Sequence, residues 1–395
     1  MLQGLEQGVV FVFFGNGIAA VKGKRIERKC LIMKREGEVR IPSGCAISGI
    51  IDKSGKRFNG EDIIRSIALM HDRGNGLGGG FAGYGIYPEY ADFYAFHIFY
   101  DNDQAKTNCE DFLRRYFSLT APGEIPTRLH SGVKDAPMIW RYFVSPIPRK
   151  QVESLKGERE FVSSCVFYIN THIKGAFVFS SGKNMGIFKA VGYPEDIGEF
   201  YRLEDYSGYA WTAHGRYPTN TPGWWGGAHP FGLLDYSIVH NGEISSYDAN
   251  RRAIEMYGYQ CALLTDTEAI TYIFDYLLER MHLTLKEAAM VVAASFWENI
   301  DALPEEERHT ALYLRKRFPD LLITGPFSII LGFDGGVMAL NDRLKLRSMV
   351  VGEKGERVYI ASEESAIRII EPELEKVWAP RGGEPVIVTL KGDVQ

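Results

Sequence analysis

Residues 208–231 read GYAWTAHGRYPTNTPGWWGGAHPF, residues 237–244 read SIVHNGEI, and residues 263–270 read LLTDTEAI. Each places a polar signature at the end of an apolar segment: His214-Gly215-Arg216, His240-Asn241-Gly242-Glu243 and Thr265-Asp266-Thr267-Glu268. Thr265 and Glu268 form a capping-box pattern, and Ile270, Ile273, Phe274, Leu277, Leu278 and Met281 then line one helical face. Elsewhere, Ser328–Phe333 and Val337–Leu340 flank Asp334-Gly335-Gly336, a hairpin signal. Strands and helices are interleaved, but the hairpins argue for antiparallel pairing, so the expected class is α+β.

The three signatures supply a fixed cation, an amide beside a glycine, and a carboxylate. That set suits a small zwitterion carrying an amide, such as glutamine. Arg216 can clamp a carboxylate through two parallel hydrogen bonds. Asp266 can hold an ammonium, and Asn241 with the Gly242 N–H can stabilise an oxyanion. The candidate nucleophile is Cys45, whose neighbours Ser43, Gly44 and Ala46 are small. Each residue also has a structural reading. Arg216 can serve a structural ion pair, although its turn-forming context favours substrate binding. Asn-Gly is a hairpin signal as readily as an oxyanion hole. Asp266 suits a helix start, which on physics alone ranks first. Cys45 can be an inert thiol. His240 reads as structural.

The composition is 45% hydrophobic and 24% charged, as in ordinary globular chains. A net charge of -5 gives no electrostatic case for nucleic acid or an anionic membrane. Five scattered cysteines are not a disulfide framework and favour a reducing cytoplasm. Val9–Phe14 is too short for a membrane span, and residues 1–44 read as a leader or an unused upstream start.

From Cys45 onward, Ala46–Ile51 is a strand candidate and Asn59 caps a helix that runs to Asp72. Gly74-Asn75-Gly76-Leu77-Gly78-Gly79 matches G-x-G-x-x-G, but it follows a helix and opens none, so it reads as a tight loop. Phe93–Phe99 is a strand. Residues from about 101 to 160 read as an inserted subdomain within a 45–395 domain, with a helix at Glu110–Phe117 and a strand at Met138–Val144. Phe161–Ile169 and Ala176–Phe179 read as strands, the second returning at Gly186–Val191. Thr284 and Glu287 open a second helix that ends near Ile300.

In joint order, Cys45-Ala46-Ile47-Ser48-Gly49-Ile50, His71-Asp72-Arg73-Gly74, His214 through Thr221, His229-Pro230-Phe231, His240 through Ile244 and Thr265 through Glu268 resemble the class II glutamine amidotransferases, a branch of the N-terminal-nucleophile hydrolases. Within that class the chain is most similar to the glutaminase domain of glutamate synthase. The wide Cys45–His214 spacing carries this, with Gly325-Pro326-Phe327, Asn341 through Arg347 and Ala361-Ser362-Glu363-Glu364. The resemblance implies a four-layer α/β/β/α sandwich with two antiparallel sheets. It implies Cys45 as nucleophile with its freed α-amine as base, and Asn241 and Gly242 as the oxyanion hole. Arg216 with Thr219 would bind the substrate α-carboxylate and Asp266 its ammonium. It implies no cofactor on this chain, with FMN and an iron–sulfur cluster on a partner subunit that makes glutamate from 2-oxoglutarate. Two alternatives remain at this point: another ammonia acceptor (a sugar phosphate, a nucleotide precursor or asparagine), or a non-catalytic scaffold of the same fold. Cys45 departs from the family pattern in being internal rather than first.

Overall fold

The computed structural model describes residues 9–14, 17–22 and 44–395, apart from 155, 219–222, 264, 393 and 395. The chain divides into two units, Met1–Ile41 and Pro42–Gln395. In the first, Val9–Phe14 and Gly17–Lys22 pair as an antiparallel hairpin with Phe14 opposite Gly17. Among the described residues no helix is long and apolar enough to cross a membrane.

The second unit is α+β. Its largest sheet has seven strands in the order Met185–Ala190, Gly79–Tyr84, Ala210–Gly215, Ala46–Asp52, Arg357–Ala361, Val350–Lys354 and Lys376–Trp378. A five-stranded sheet runs Phe231–Leu233, Tyr236–Gly242, Phe327–Phe333, Gly336–Asn341 and Val386–Thr389. Every pairing in both is antiparallel. The sheets pack face to face and share one core, in which Ile47, Ala213 and Ile360 meet Val239, Ile330 and Val337. Helices Glu61–Ala68, Pro194–Phe200 and Glu364–Arg368 cover the outer face of the first sheet. Helix Asp266–Asp275, with Tyr247–Met256 behind it, covers the second. The result is a helix–sheet–sheet–helix sandwich.

A third sheet orders Phe117–Glu124, Met138–Pro146, Tyr94–Tyr100 and Ala176–Ser180. It spans the stretch read as an insertion at about 101–160 and takes strands from both sides of it. Helix Asp103–Tyr116 packs on it. Asn102 caps that helix, its side chain accepting from the Ala105 N–H at 3.0 Å.

Several local expectations are corrected. Phe161–Ile169 lies within a helix, Glu158–His172, and not in a strand. Phe161, Val162, Cys165, Val166 and Ile169 are buried at helical spacing. The Asn170 amide then docks this helix on Val178, donating to its carbonyl at 3.0 Å and accepting from its N–H at 2.7 Å. The glycine-rich run read as a tight loop is non-strand through Gly78, and an interior strand that was not expected, Gly79–Tyr84, follows it directly. A Cβ on Gly80 would lie 2.3 Å from the Phe188 carbonyl oxygen, so close strand approach explains the glycine. The helix after Asn59 spans only Glu61–Ala68, with the Asn59 side chain accepting from the Glu61 N–H at 3.3 Å. The Thr284–Glu287 capping box is present, but its helix ends at Val292 and a separate one forms at Trp297–Asp301.

Candidate active site

Cys45 sits at the start of the central strand Ala46–Asp52, whose Ala46 pairs with Gly215. That register sets Cys45 beside the end of Ala210–Gly215, where Arg216 and Tyr217 follow. The Tyr217 N–H donates to Cys45 Sγ at 3.3 Å. Arg73 donates from Nε to the Cys45 carbonyl at 3.1 Å, and its other end pairs with Glu363 at 2.8 Å. Burial pushes the Cys45 thiol above its usual range. The Tyr217 N–H and the Arg216 and Arg347 guanidiniums pull the other way, and Asp266 adds to the rise.

Arg216 is only 4% exposed. Its N–H donates to the Gly78 carbonyl at 3.0 Å, fixing the strand end beside Gly79–Tyr84. Burial lowers its pKa, while the fields of Cys45 and Asp266 oppose that shift. Cys45 and Arg216 thus each lie within electrostatic reach of the other and of Asp266.

Asp266 is the first residue of helix Asp266–Asp275, but the cap belongs to Thr265, which accepts from the Glu268 N–H at 3.3 Å. The Asp266 carboxylate is held otherwise. One oxygen accepts from the Ile244 N–H at 3.2 Å, and the other accepts from Thr267 Oγ1 at 3.2 Å and faces His240 Nδ1 at 3.6 Å. Burial pushes its pKa up, but His240, the Ile244 N–H and Thr267 outweigh that and leave it below the usual carboxylate range.

Asn241 and Gly242 are not a hairpin turn. They end strand Tyr236–Gly242 and pair with Ser328 and Phe327. Gly242 has φ +150°, and a Cβ there would lie 2.0 Å from the Pro326 oxygen, so only glycine fits. Asn241 is fully buried. Its Nδ2 donates to Ser362 Oγ at 3.3 Å, and its Oδ1 has no hydrogen-bond partner among the described residues. Ser362 Oγ also accepts from the Ile47 N–H at 3.1 Å, which ties Asn241 to the strand that begins after Cys45. Thr219 lies outside the described residues.

Three histidines back this site. His214 Nε2 bonds the His240 carbonyl at 2.8 Å, and its ring stacks on His229 at 4.2 Å. Thr267 Oγ1 meets His229 Nε2 at 2.7 Å and His240 Nδ1 at 3.1 Å. Burial lowers His214 to about 3 and His229 well below its usual range, so both rings are neutral spacers. His240 orients Asp266, in line with its structural reading. The sequence reading assigned no roles to Arg73, Thr267, Ser362 or Arg347. All four lie in motifs it quoted, but their partners come from other segments of the chain.

A family model described as glutamine amidotransferases class-II matches residues 134–393. The match includes Arg216, Asn241, Gly242 and Asp266 and begins downstream of Cys45. An uncharacterized protein of Archaeoglobus fulgidus is 49% identical over 350 residues, covering 88% of this chain and 92% of that one. A putative glutamine amidotransferase of Methanothermobacter thermautotrophicus is 24% identical over 331 residues, covering 82% and 93%. Among solved structures, the glutamine phosphoribosylpyrophosphate amidotransferase of B. subtilis is similar at TM-score 0.47 and 13% identity. That alignment covers 89% of this chain and 49% of the other.

Proposed function

Because this chain belongs to the class II glutamine amidotransferases, we propose that it hydrolyses glutamine at Cys45 and supplies the ammonia to glutamate synthesis from 2-oxoglutarate on a partner subunit. The observation that carries the glutaminase reading is the Tyr217 N–H bond to Cys45 Sγ at 3.3 Å, which sets the thiol beside the strand end that carries Arg216 and within electrostatic reach of Arg216 and Asp266. Arg216 takes the α-carboxylate, with Thr219 as its neighbour in sequence, and Asp266 takes the α-ammonium. The amide carbon then faces the Cys45 sulfur.

Chemistry follows from these positions. The thiolate attacks the amide carbon. Asn241 Nδ2 and the Gly242 N–H receive the oxyanion, for which Nδ2 gives up its 3.3 Å bond to Ser362. Burial keeps the thiol protonated at rest, so a base is needed. The α-amine of Cys45, freed by cleavage after Gly44, has a reference pKa of about 7.7–8.0, low enough to act near neutrality. It takes the thiol proton and returns it to the leaving nitrogen. Ammonia departs, and water releases glutamate from the thioester.

The partner half of the proposal rests on the sequence resemblance to the glutaminase domain of glutamate synthase. The partner would carry FMN and an iron–sulfur cluster, and this chain would carry no cofactor. The test is an assay of glutamine hydrolysis, alone and with such a subunit present. Glutamine-dependent conversion of 2-oxoglutarate to glutamate by the pair supports the reading. Hydrolysis that never transfers nitrogen to 2-oxoglutarate refutes the acceptor and leaves the glutaminase.

A further inference from the structure

Lys189 is 1% exposed in the edge strand Met185–Ala190. Its Nζ donates to the Gly226 carbonyl at 2.9 Å and lies 4.5 Å from the centre of the Phe231 ring and 5.5 Å from that of Phe177. A buried ammonium is expensive where an apolar side chain of similar length would fill the same space. Burial lowers its pKa to about 7, with Glu268 opposing the shift and Arg216 adding to it. The outer helices and the sheet pairing make no use of this amine.

Gly226 belongs to the segment that begins at Arg216 and Tyr217 and ends at Pro230. The start of that segment touches Cys45 through the Tyr217 N–H. Its end is pinned close to Lys189. His229 Nε2 meets Thr267 Oγ1 at 2.7 Å, and Thr267 in turn donates to Asp266. The His229 carbonyl presses onto Gly80, the cross-strand partner of Lys189, where an added Cβ would lie 2.6 Å from it. Trp224 folds back over the same end, since a Cβ on Gly226 would lie 2.2 Å from its ring.

We propose that Lys189 is a positioning residue for glutamine binding: by holding the Gly226 carbonyl it fixes the far end of the segment whose near end carries Arg216. The same end reaches Asp266 through His229 and Thr267, so Lys189 steadies the segment at the carboxylate side as well. The proposal rests on the reading of glutamine as substrate.

The test is Lys189→Met in the full chain, with Lys189→Arg as the conservative variant. Lys189→Met should raise KM for glutamine at least tenfold on the order expected for lost ground-state binding, and leave kcat within about threefold. Lys189→Arg should recover most of the affinity. Backbone hydrogen exchange, read without substrate, should speed up at residues 223–230 and at 216–217 in Lys189→Met. Unchanged KM with unchanged exchange would overturn the proposal. Should Lys189→Met fail to fold, exchange in the native chain decides the matter: glutamine should protect 223–230 together with 216–217. Protection confined to 216–217 would overturn it. Absence of any glutamine effect on the native chain would sink the substrate reading; where Lys189→Met folds, faster exchange at 216–217 in the substrate-free variant would still support the positioning role, and unchanged exchange there would overturn it.

Discussion

The Tyr217 N–H donates to Cys45 Sγ at 3.3 Å, so the segment that carries Arg216 also touches the proposed nucleophile. Substrate binding and thiol placement thus share one strand end, where Ala46 pairs with Gly215. Movement of that end alters both.

Cys45→Ala should abolish glutamine hydrolysis while leaving the thermal midpoint within a few degrees, because the thiol makes no strong bond that the fold depends on. Alanine at the buried Cys109 or Cys165 should instead lower stability and spare turnover. Steady-state assays and thermal unfolding on the three variants check this.

Arg216→Lys should raise KM for glutamine on the order of tenfold or more although the charge is kept. An ammonium cannot reproduce the bidentate fork, and at 4% exposure there is little room for water to compensate. A KM within twofold of the native value would return Arg216 to a structural role.

Asp266→Asn separates the two readings of that residue. Thr265 caps the helix, so stability should change by less than about 1 kcal/mol. Loss of the charge should nevertheless raise KM strongly, with kcat less affected. An unchanged KM would mean that Asp266 serves only the helix start.

Asn241→Leu should lower kcat by roughly 10²–10³, the usual cost of an oxyanion donor, with KM nearly unchanged. Stability should barely move, because the Asn241 Oδ1 is unpartnered and Nδ2 makes one long bond.

The buried histidines set a pH dependence. Burial holds His97 and His214 at about 3 and His229 well below its usual range, against about 6.5 in the unfolded chain. Below pH 6.5 the unfolded state therefore binds protons that the native state refuses, and their contribution to stability is lost on acidification. Glu268 and Asp275, raised by burial to about 7 and about 6, act in the opposite sense. The three histidines outweigh the two raised carboxyls, and carboxyls held below their usual range, such as Asp266, add to the same side, so stability should fall between about pH 6 and 4.5. Denaturant midpoints at the two pH values check it, and a higher midpoint at pH 4.5 would contradict it.

The sequence displayed the site more clearly than the fold around it. Arg216, Asn241 and Asp266 sit at element ends, where a polar residue after an apolar run is conspicuous; Arg216 and Asp266 lie within electrostatic reach of Cys45, and Asn241 is tied through Ser362 to the strand that follows it. The Asn-Gly turn reading failed because Asn241 and Gly242 take part in a strand ladder with Ser328 and Phe327, a register local pattern does not reveal. Phe161–Ile169 misled because aromatic and β-branched residues favour strands, whereas packing on the third sheet made it helical. Phe117–Glu124 escaped notice. It contains Pro122 and Gly123, lacks clean alternation and holds as an edge strand with a register shift. Ser362 and Arg73 gain meaning from partners distant in sequence: Asn241, about 120 positions from Ser362, and Cys45 and Glu363, 28 and 290 positions from Arg73.

The most direct measurement is site mapping with a diazoketone analogue of glutamine, an electrophile that a thiolate captures once it occupies the glutamine site. Peptide mass mapping should find one adduct per chain, on Cys45, with loss of hydrolysis in proportion to labelling and protection by excess glutamine. An adduct on another cysteine, or hydrolysis that persists after Cys45 is fully labelled, would contradict Cys45 as the nucleophile.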